Sequence, residues 1–131
     1  MPLLATLALG ANGTFTSTPI EGLAEIGSLN LLAMMNVVGG GGTTIVRVQT
    51  SLDEGGNWFD VARFDFTTSS ANKYGCVDAR VATVPTAIAA LGTADTKRDG
   101  LLGDRLRIEV TTSGTVYTQG SSISVFYQTQ T

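Results

Sequence analysis

Alternation between apolar and polar residues is the clearest pattern along the chain. It is strongest in three segments: residues 43–52, 105–111 and 122–128. In the first segment, Val46, Val48 and Leu52 share the side that is predicted to be buried, and in the third Phe126 departs from the alternation. Because successive side chains of a β-strand point to opposite faces, this period of two predicts strands with one buried face.

Other stretches favour strands less regularly. Residues 3–9 and 14–17 predict two short strands joined by a turn at residues 11–13. Residues 28–38 form an apolar run whose length would also allow a helix. The asparagines inside this run and the four glycines that follow it make a buried strand the preferred interpretation.

The strand predicted at residues 59–66 changes parity along its length. Its first apolar residues fall on one side, whereas Phe64 and Phe66 fall on the other. A β-bulge near Ala62 and Arg63 would turn both sets toward the core. The alternative is a strand that is covered on both faces.

The segment between the two halves of the chain is less strand-like. Residues 83–92 contain an alanine-rich stretch that predicts one or two helical turns, and residues 93–100 predict a polar loop. Roughly eight strands in 131 residues indicate a single all-β domain, spanning residues 1–131 with an extended N-terminal segment. We expect a two-sheet β-sandwich, of which the jelly roll is one form.

Charge and hydropathy exclude several classes of partner. The net charge is −3 and there is no basic run, so we expect no nucleic-acid or anionic-membrane binding. The apolar start of the chain lacks the basic region of a signal peptide, and no stretch reaches the roughly 18 to 20 apolar residues of a membrane span. The sequence thus predicts a protein that is made in the cytoplasm.

Candidate catalytic groups are few. The chain has no histidine, which removes the commonest general base and metal ligand. Asp60 and Asp65 have the spacing of solvent-facing strand positions, and nothing selects a carboxylate pair. The single Cys76 is expected to be a small buried thiol. We therefore expect a protein that is not an enzyme and that needs no cofactor.

Residues 51–58 match the Asp-box pattern. Its characteristic members are Ser51, Asp53, Gly55 and Trp58. The Asp side chain can accept hydrogen bonds from the amides of the turn, and Gly tolerates a positive φ. The segment resembles the turns of sialidases and other propeller proteins, but a propeller repeats it in each blade. One copy indicates a structural hairpin clamp. A calcium site with Asp53, Glu54 and Asn57 as oxygen ligands is the less favoured interpretation, so we predict no metal.

Two longer segments, residues 48–66 and 102–117, resemble small β-rich virion proteins of tailed bacteriophages and prophages. The likeness extends over about residues 43–127. It implies a capsid decoration protein that is assembled into the virion in the host cytoplasm and binds the major capsid protein, commonly as a homotrimer. A neck, tail or fibre-base adaptor is the alternative within this class, and a carbohydrate-binding module is the alternative outside it.

Decoration proteins contact the shell through exposed loops and an N-terminal segment. In this chain the candidates are the apolar start and the glycine run, because unpaired sheet edges and flexible loops favour assembly. The predicted contact residues are Pro2, Leu3, Leu4, Leu7, Gly39, Gly40, Gly41 and Gly42.

Overall fold

The protein is an all-β sandwich, as the alternation predicts. The structure, a computed structural model, describes residues 1–23 and 26–131. These residues form nine strands: β1 Leu3–Ala8, β2 Gly13–Thr16, β3 Ser28–Asn36, β4 Thr43–Ser51, β5 Phe59–Phe66, β6 Ala71–Asp78, β7 Thr96–Lys97, β8 Arg105–Ser113 and β9 Ser122–Gln130. Within the described ranges there is no helix that is long and apolar enough to cross a membrane.

Two antiparallel sheets face each other. The first has four strands in the order β1-β9-β3-β6, and the second has five in the order β2-β8-β4-β5-β7. The pairs β1 with β9, β2 with β8, β3 with β6 and β4 with β5 are nested, so the first long strand of the chain pairs with the last. This nesting brings residues that are distant in sequence onto one face.

The core lies between the sheets and follows the predicted period of two. Val46 and Val48 of β4 are fully buried, as are the apolar residues at alternate positions Leu106, Ile108 and Val110 of β8 and Ile123 and Val125 of β9. Tyr117, from the connection between β8 and β9, is also buried, and its hydroxyl donates to the Thr67 carbonyl at 2.6 Å. Thr44 donates to the same hydroxyl at 3.0 Å, which satisfies the polar group inside the core.

The predicted bulge in β5 is confirmed. Val48 pairs with Ala62 and Gln49 pairs with Asp60, so Val61 is the extra residue of β5. The bulge lets Val61 and the two later phenylalanines of the strand be buried together, while Phe59 is only half-buried.

Three local predictions are wrong. Leu52 was expected in the core, but β4 ends one residue earlier and Leu52 is 55% exposed in the turn. Residues 83–92 contain no helix, because their backbone groups bond to side chains of the second sheet: Leu91 N–H donates to the Asp60 carboxylate at 3.0 Å, and the Ala89 carbonyl accepts from Arg98. The predicted loop at residues 93–100 includes the short strand β7.

Candidate interaction surface

The outer face of the four-stranded sheet carries a continuous row of apolar side chains. Leu3 of β1 pairs with Phe126 of β9, Phe126 pairs with Leu32 of β3, and Leu32 pairs with Tyr74 of β6. Directly paired residues point to the same side of a sheet, so these four side chains cross the whole sheet in one line. Tyr74 is 86% exposed and Leu3 is 51% exposed. We call this line the apolar row.

The residues around the apolar row are uncharged. Met34, 38% exposed, lies beside it. The other uncharged side chains on the same face are small or amide residues: Thr6, Ala8, Ser28, Asn30, Asn36, Asn72, Cys76, Ser122, Ser124, Gln128 and Gln130. Among the strand residues of this sheet, the one charged residue on this side is Asp78 at the end of β6, and it is bound to Arg80 at 3.1 Å. A surface with scattered apolar residues is ordinary, but an apolar row whose immediate neighbours carry no charge has the composition of a docking surface.

A shallow depression lies next to the apolar row. It has a volume of about 350 Å³, and Met34, Asn72, Ser124 and Phe126 contribute to its lining. Its walls provide apolar contact together with hydroxyl and amide groups. The depression can therefore accept one apolar side chain of a partner with a polar group beside it.

The outer face of the five-stranded sheet has the opposite character. Arg47 lies between Glu109 and Arg63 in the register of the sheet, and Arg63 makes two hydrogen bonds to Asp65 at 2.8 and 2.9 Å. The Arg107 guanidinium lies 4.4 Å from the centre of the Trp58 ring. Arg47 and Arg63 thus have carboxylate partners within the protein, and the mixture of charged side chains is typical of a solvated face.

Asp60 is the buried centre of this charged face. It was predicted to face solvent, but it is only 4% exposed because residues 88–91 cover it. Its carboxylate accepts from Gln49 at 2.9 Å and from Leu91 N–H at 3.0 Å, and it lies 3.3 Å from Arg47. With its oxygens occupied in this way, Asp60 fastens the covering segment to the sheet.

The Asp-box turn is a self-contained clamp. Asp53 accepts from the Asn57 backbone N–H at 2.7 Å and from the Asn57 side chain at 2.6 Å, and Gly55 N–H donates to the Ser51 hydroxyl at 2.8 Å. The hydrogen bonds from Asn57 lower the pKa of Asp53. Trp58 lies against Gly55, whose φ is 91°. Both carboxylate oxygens of Asp53 are engaged by hydrogen bonds inside the turn.

The predicted N-terminal contacts divide between the surface and the core. Leu3 lies in the apolar row and Pro2 is exposed beside it. Leu4 is buried, and the half-buried Leu7 packs against the core. Leu3 and Pro2 are therefore accessible to a partner, whereas Leu4 and Leu7 hold β1 on the sandwich.

The glycine run packs closely against the connection between β8 and β9. Gly40 forms a bridge with Tyr117, and a Cβ atom on Gly41 would lie 2.3 Å from the ring of Tyr117. A Cβ atom on Gly42 would lie 2.2 Å from the Ser113 carbonyl oxygen. The close packing thus explains why glycine occupies these positions, in addition to the predicted role of the loop as a contact.

A carbohydrate-binding module would stack sugar rings on exposed aromatic side chains, but the candidates Trp58, Phe59, Tyr74, Tyr117 and Tyr127 do not share one platform. Tyr74 lies on the outer face of the four-stranded sheet, and Trp58 is covered by Arg107 on the other sheet. Tyr117 is buried, and Tyr127 packs against the core. Only Tyr74 presents most of its ring to solvent.

Cys76 is exposed, so the prediction of a buried thiol is wrong. It belongs to the outward-facing set of β6, together with Asn72 and Tyr74. Its neighbour Val77 points inward and is buried. The error is a parity error, since a one-residue shift moves a side chain to the other face of a sheet.

Periodicity alone could not have revealed the apolar row. The sequence contained two signals for it: the departure of Phe126 from the alternation, and the lack of polar alternation in β3. Comparison of the chain with family models, with curated proteins and with solved structures found no match.

Proposed function

We propose that this protein is a virion structural protein of a tailed bacteriophage, which decorates the capsid by binding the major capsid protein. The observation that carries the proposal is the uncharged outer face of the four-stranded sheet with its apolar row. The protein acts by adding buried interface to the shell, without a catalytic residue or a cofactor.

The topology supports the same class. We infer that the nested pairing of β1 with β9, β2 with β8, β3 with β6 and β4 with β5 is that of a jelly roll. Jelly rolls occur in viral capsid proteins and in lectins. This support is an analogy of fold, so the face has to carry the functional argument.

An uncharged face suits permanent docking. Burying an unpaired charge costs several kcal/mol, whereas hydroxyl and amide groups are readily paired with a partner's polar groups. Complete burial of a side chain such as Leu or Phe contributes roughly 1.5–3 kcal/mol, and the half-exposed members of the apolar row would contribute less. Because a capsid presents many equivalent positions, modest contacts are sufficient for stable decoration.

The N-terminal segment belongs to this proposed interface. Leu3 forms one end of the apolar row and Pro2 extends beyond it, so a shell subunit that covers the row would also contact the start of the chain. The glycine run follows β3 at the end of the sheet where Asn36 pairs with Ser122. It would form the border of the interface.

A pair of leucine substitutions tests the proposal. Leu3→Lys places a charge on the apolar row, and Leu52→Lys places the same charge on the Asp-box turn at nearly equal exposure, 51% against 55%. Binding of each variant to purified shells that lack this protein would be measured by co-sedimentation. We expect Leu3→Lys to weaken binding by about tenfold or more, equivalent to about 1.4 kcal/mol. Leu52→Lys should bind as the wild type does.

Circular dichroism and thermal melting would establish that both variants are folded. Equal binding by the two variants would show that the uncharged face is not the docking surface. Loss of binding in both would place the interface elsewhere or make charge itself the cause. A neck or tail adaptor would leave shells unbound and would bind the purified neck or tail instead.

A further inference from the structure

Strand β6 is an open edge of the four-stranded sheet. Ala79 N–H donates to the carbonyl of Gly27, which directly precedes β3. The backbone N–H and C=O groups of the odd-numbered residues of β6 are therefore directed toward β3. The backbone groups of Asp78 are directed away from β3, since its N–H donates to the Asp99 carboxylate and its carbonyl accepts from Gly100 N–H. By the same alternation, the backbone groups of Asn72, Tyr74 and Cys76 point away from β3. Among the described residues, none donates to or accepts from these three backbone positions.

The usual protection of an edge strand is missing here. The other edges are blunted: β1 has a register shift between Leu3 and Ala5, β2 has four residues, and β7 has two. By contrast, β6 pairs with β3 over eight residues without a shift, and it contains no proline. Its one inward charge, Lys73, is bound to Asp95 at 2.8 Å and to the Asp65 carbonyl at 2.6 Å. Lys73 is therefore held away from the edge of β6, where its charge would otherwise discourage pairing with another strand.

We propose that β6 is a self-association edge: two copies of this chain pair their β6 strands antiparallel, about a two-fold axis through Tyr74. The two four-stranded sheets then become one continuous sheet of eight strands. The proposal concerns the chain in solution and does not depend on the proposed function.

The register follows from the open backbone groups. With the axis at Tyr74, Tyr74 opposes Tyr74 of the partner subunit and Asn72 opposes Cys76 of the partner subunit. Each of these opposed pairs can exchange two backbone hydrogen bonds, so every open group of the edge is satisfied. An axis at Lys73 would oppose two lysines, and an axis at Gly75 would require Asp78, which is already bonded. Only the Tyr74 axis pairs the three open residues among themselves, because an axis at Lys73 would place Cys76 opposite Ser70, which lies outside β6.

The side chains fit the same register. The apolar row of each subunit ends at Tyr74, so the two rows join across the axis, and an aromatic pair at directly opposed positions is favourable. Lys73 opposes Gly75 of the partner subunit, which avoids a repulsion between like charges. A cleft of about 480 Å³ lies between β6 and the strands β5 and β7 of the other sheet.

The charges that line this cleft are already paired. Lys73 lies 2.8 Å from Asp95, and Lys97 lies 3.1 Å from Asp99. Arg63 is bound to Asp65. The approach of a second copy therefore brings no unmatched charge to the edge. A two-fold pairing also predicts a dimer, in contrast to the trimer implied by the resemblance to decoration proteins.

A register-specific cross-link tests the pairing. In the Asn72→Cys variant, the introduced thiol lies opposite Cys76 of the partner subunit. The two residues form a hydrogen-bonded pair, whose Cα atoms lie about 5.5 Å apart, and this distance is within the range of a disulfide. The control is Asn72→Cys with Cys76→Ser, in which the two introduced thiols are four residues out of register, about 13 Å apart. We expect mild oxidation to convert Asn72→Cys into a covalent dimer, while the control and the wild type stay uncrosslinked.

The second measurement is the molar mass in solution, determined by size-exclusion chromatography with light scattering. The wild type should show twice the chain mass of 13.6 kDa over a dilution series. Tyr74→Glu should weaken the dimer by about tenfold, because it opposes two carboxylates and removes the aromatic pair. Val84→Glu, a control at a residue 78% exposed outside β6, should leave the dimer unchanged.

A mass equal to one chain or to three chains would overturn the proposal. Equal cross-linking of Asn72→Cys and its control would overturn the register, and with it the axis through Tyr74. Since Tyr74 is 86% exposed, its substitution should not unfold the subunit, and thermal melting would verify this. These outcomes do not require a capsid, so they are independent of shell binding.

Discussion

Replacing Gly42 with alanine tests whether the glycine run serves the fold itself. A Cβ atom at this position would lie 2.2 Å from the Ser113 carbonyl oxygen and 2.9 Å from Thr115 N, whereas ordinary contacts begin at 3.4 Å. The obstructing atoms belong to the backbone, so a side-chain rotation cannot relieve the overlap. The two segments would have to separate by about 1 Å, which disturbs the pairing of Thr43 with Ser113.

The expected cost combines overpacking with weakened hydrogen bonds, about 2–3 kcal/mol in the free energy of unfolding. For a chain of 131 residues this corresponds to a fall of about 10 °C in Tm. The matched control is Gly92→Ala, because a Cβ atom on Gly92 meets nothing within 4 Å and its φ is not positive. The control should leave Tm unchanged or raise it slightly, through a smaller entropy of the unfolded chain.

Thermal and urea unfolding followed by circular dichroism would measure both variants. A Gly42→Ala protein that melts within about 2 °C of the wild type would refute the close packing deduced for this loop. If the loss of stability is observed, any loss of shell binding in this variant has to be assigned to the fold, and the contact role of the loop needs a different test.

Three further predictions follow from the site geometry. The pKa of Asp53 is lowered by hydrogen bonds from Asn57, so the stabilising effect of the Asp53 carboxylate should be complete above the ordinary pKa of 3.8 and lost as the pH falls through the lowered pKa. Urea unfolding at a series of pH values would show this loss of stability, and the loss should be smaller in Asp53→Asn. Arg107→Ala should lower the free energy of unfolding by about 1 kcal/mol and shift the fluorescence of Trp58, since it removes the stacked guanidinium; an unchanged spectrum would contradict the stacking. Cys76 should react with a maleimide in the native protein, and protection until unfolding would contradict its exposure.

The strands that the sequence predicts most accurately are those with one buried face. In β4 and β8 the apolar residues recur at every second position, and the core uses that same face. The Asp-box turn is equally local, because its hydrogen bonds join residues within four positions of one another. Local patterns of this kind are determined by neighbouring residues and can be inferred without the topology.

The errors have a different physical origin. Asp60 was expected at the surface because its own strand places it on the polar side, but a segment about thirty residues later covers it. The same contact removes the helix predicted for that segment, because its backbone groups bond to the sheet. Such outcomes depend on tertiary contacts that override local preference.

The apolar row was the least predictable feature. It joins Leu3, Leu32, Tyr74 and Phe126, which are distributed over almost the whole chain and meet only because β1, β9, β3 and β6 are neighbours in that order. Strand order is not encoded in hydrophobic periodicity. The sequence predicted Leu3 as a contact from its apolar segment, but not the three residues that continue the row.

The most direct test of the proposed capsid role is the copy number of this protein in purified particles of the tailed phage that is proposed to encode it. Quantitative mass spectrometry would compare it with the major capsid protein. Decoration of the shell predicts a ratio that approaches that of the shell subunit, because every equivalent lattice position offers the same docking surface. A ratio of a few per cent, or absence from the particle, would contradict the account.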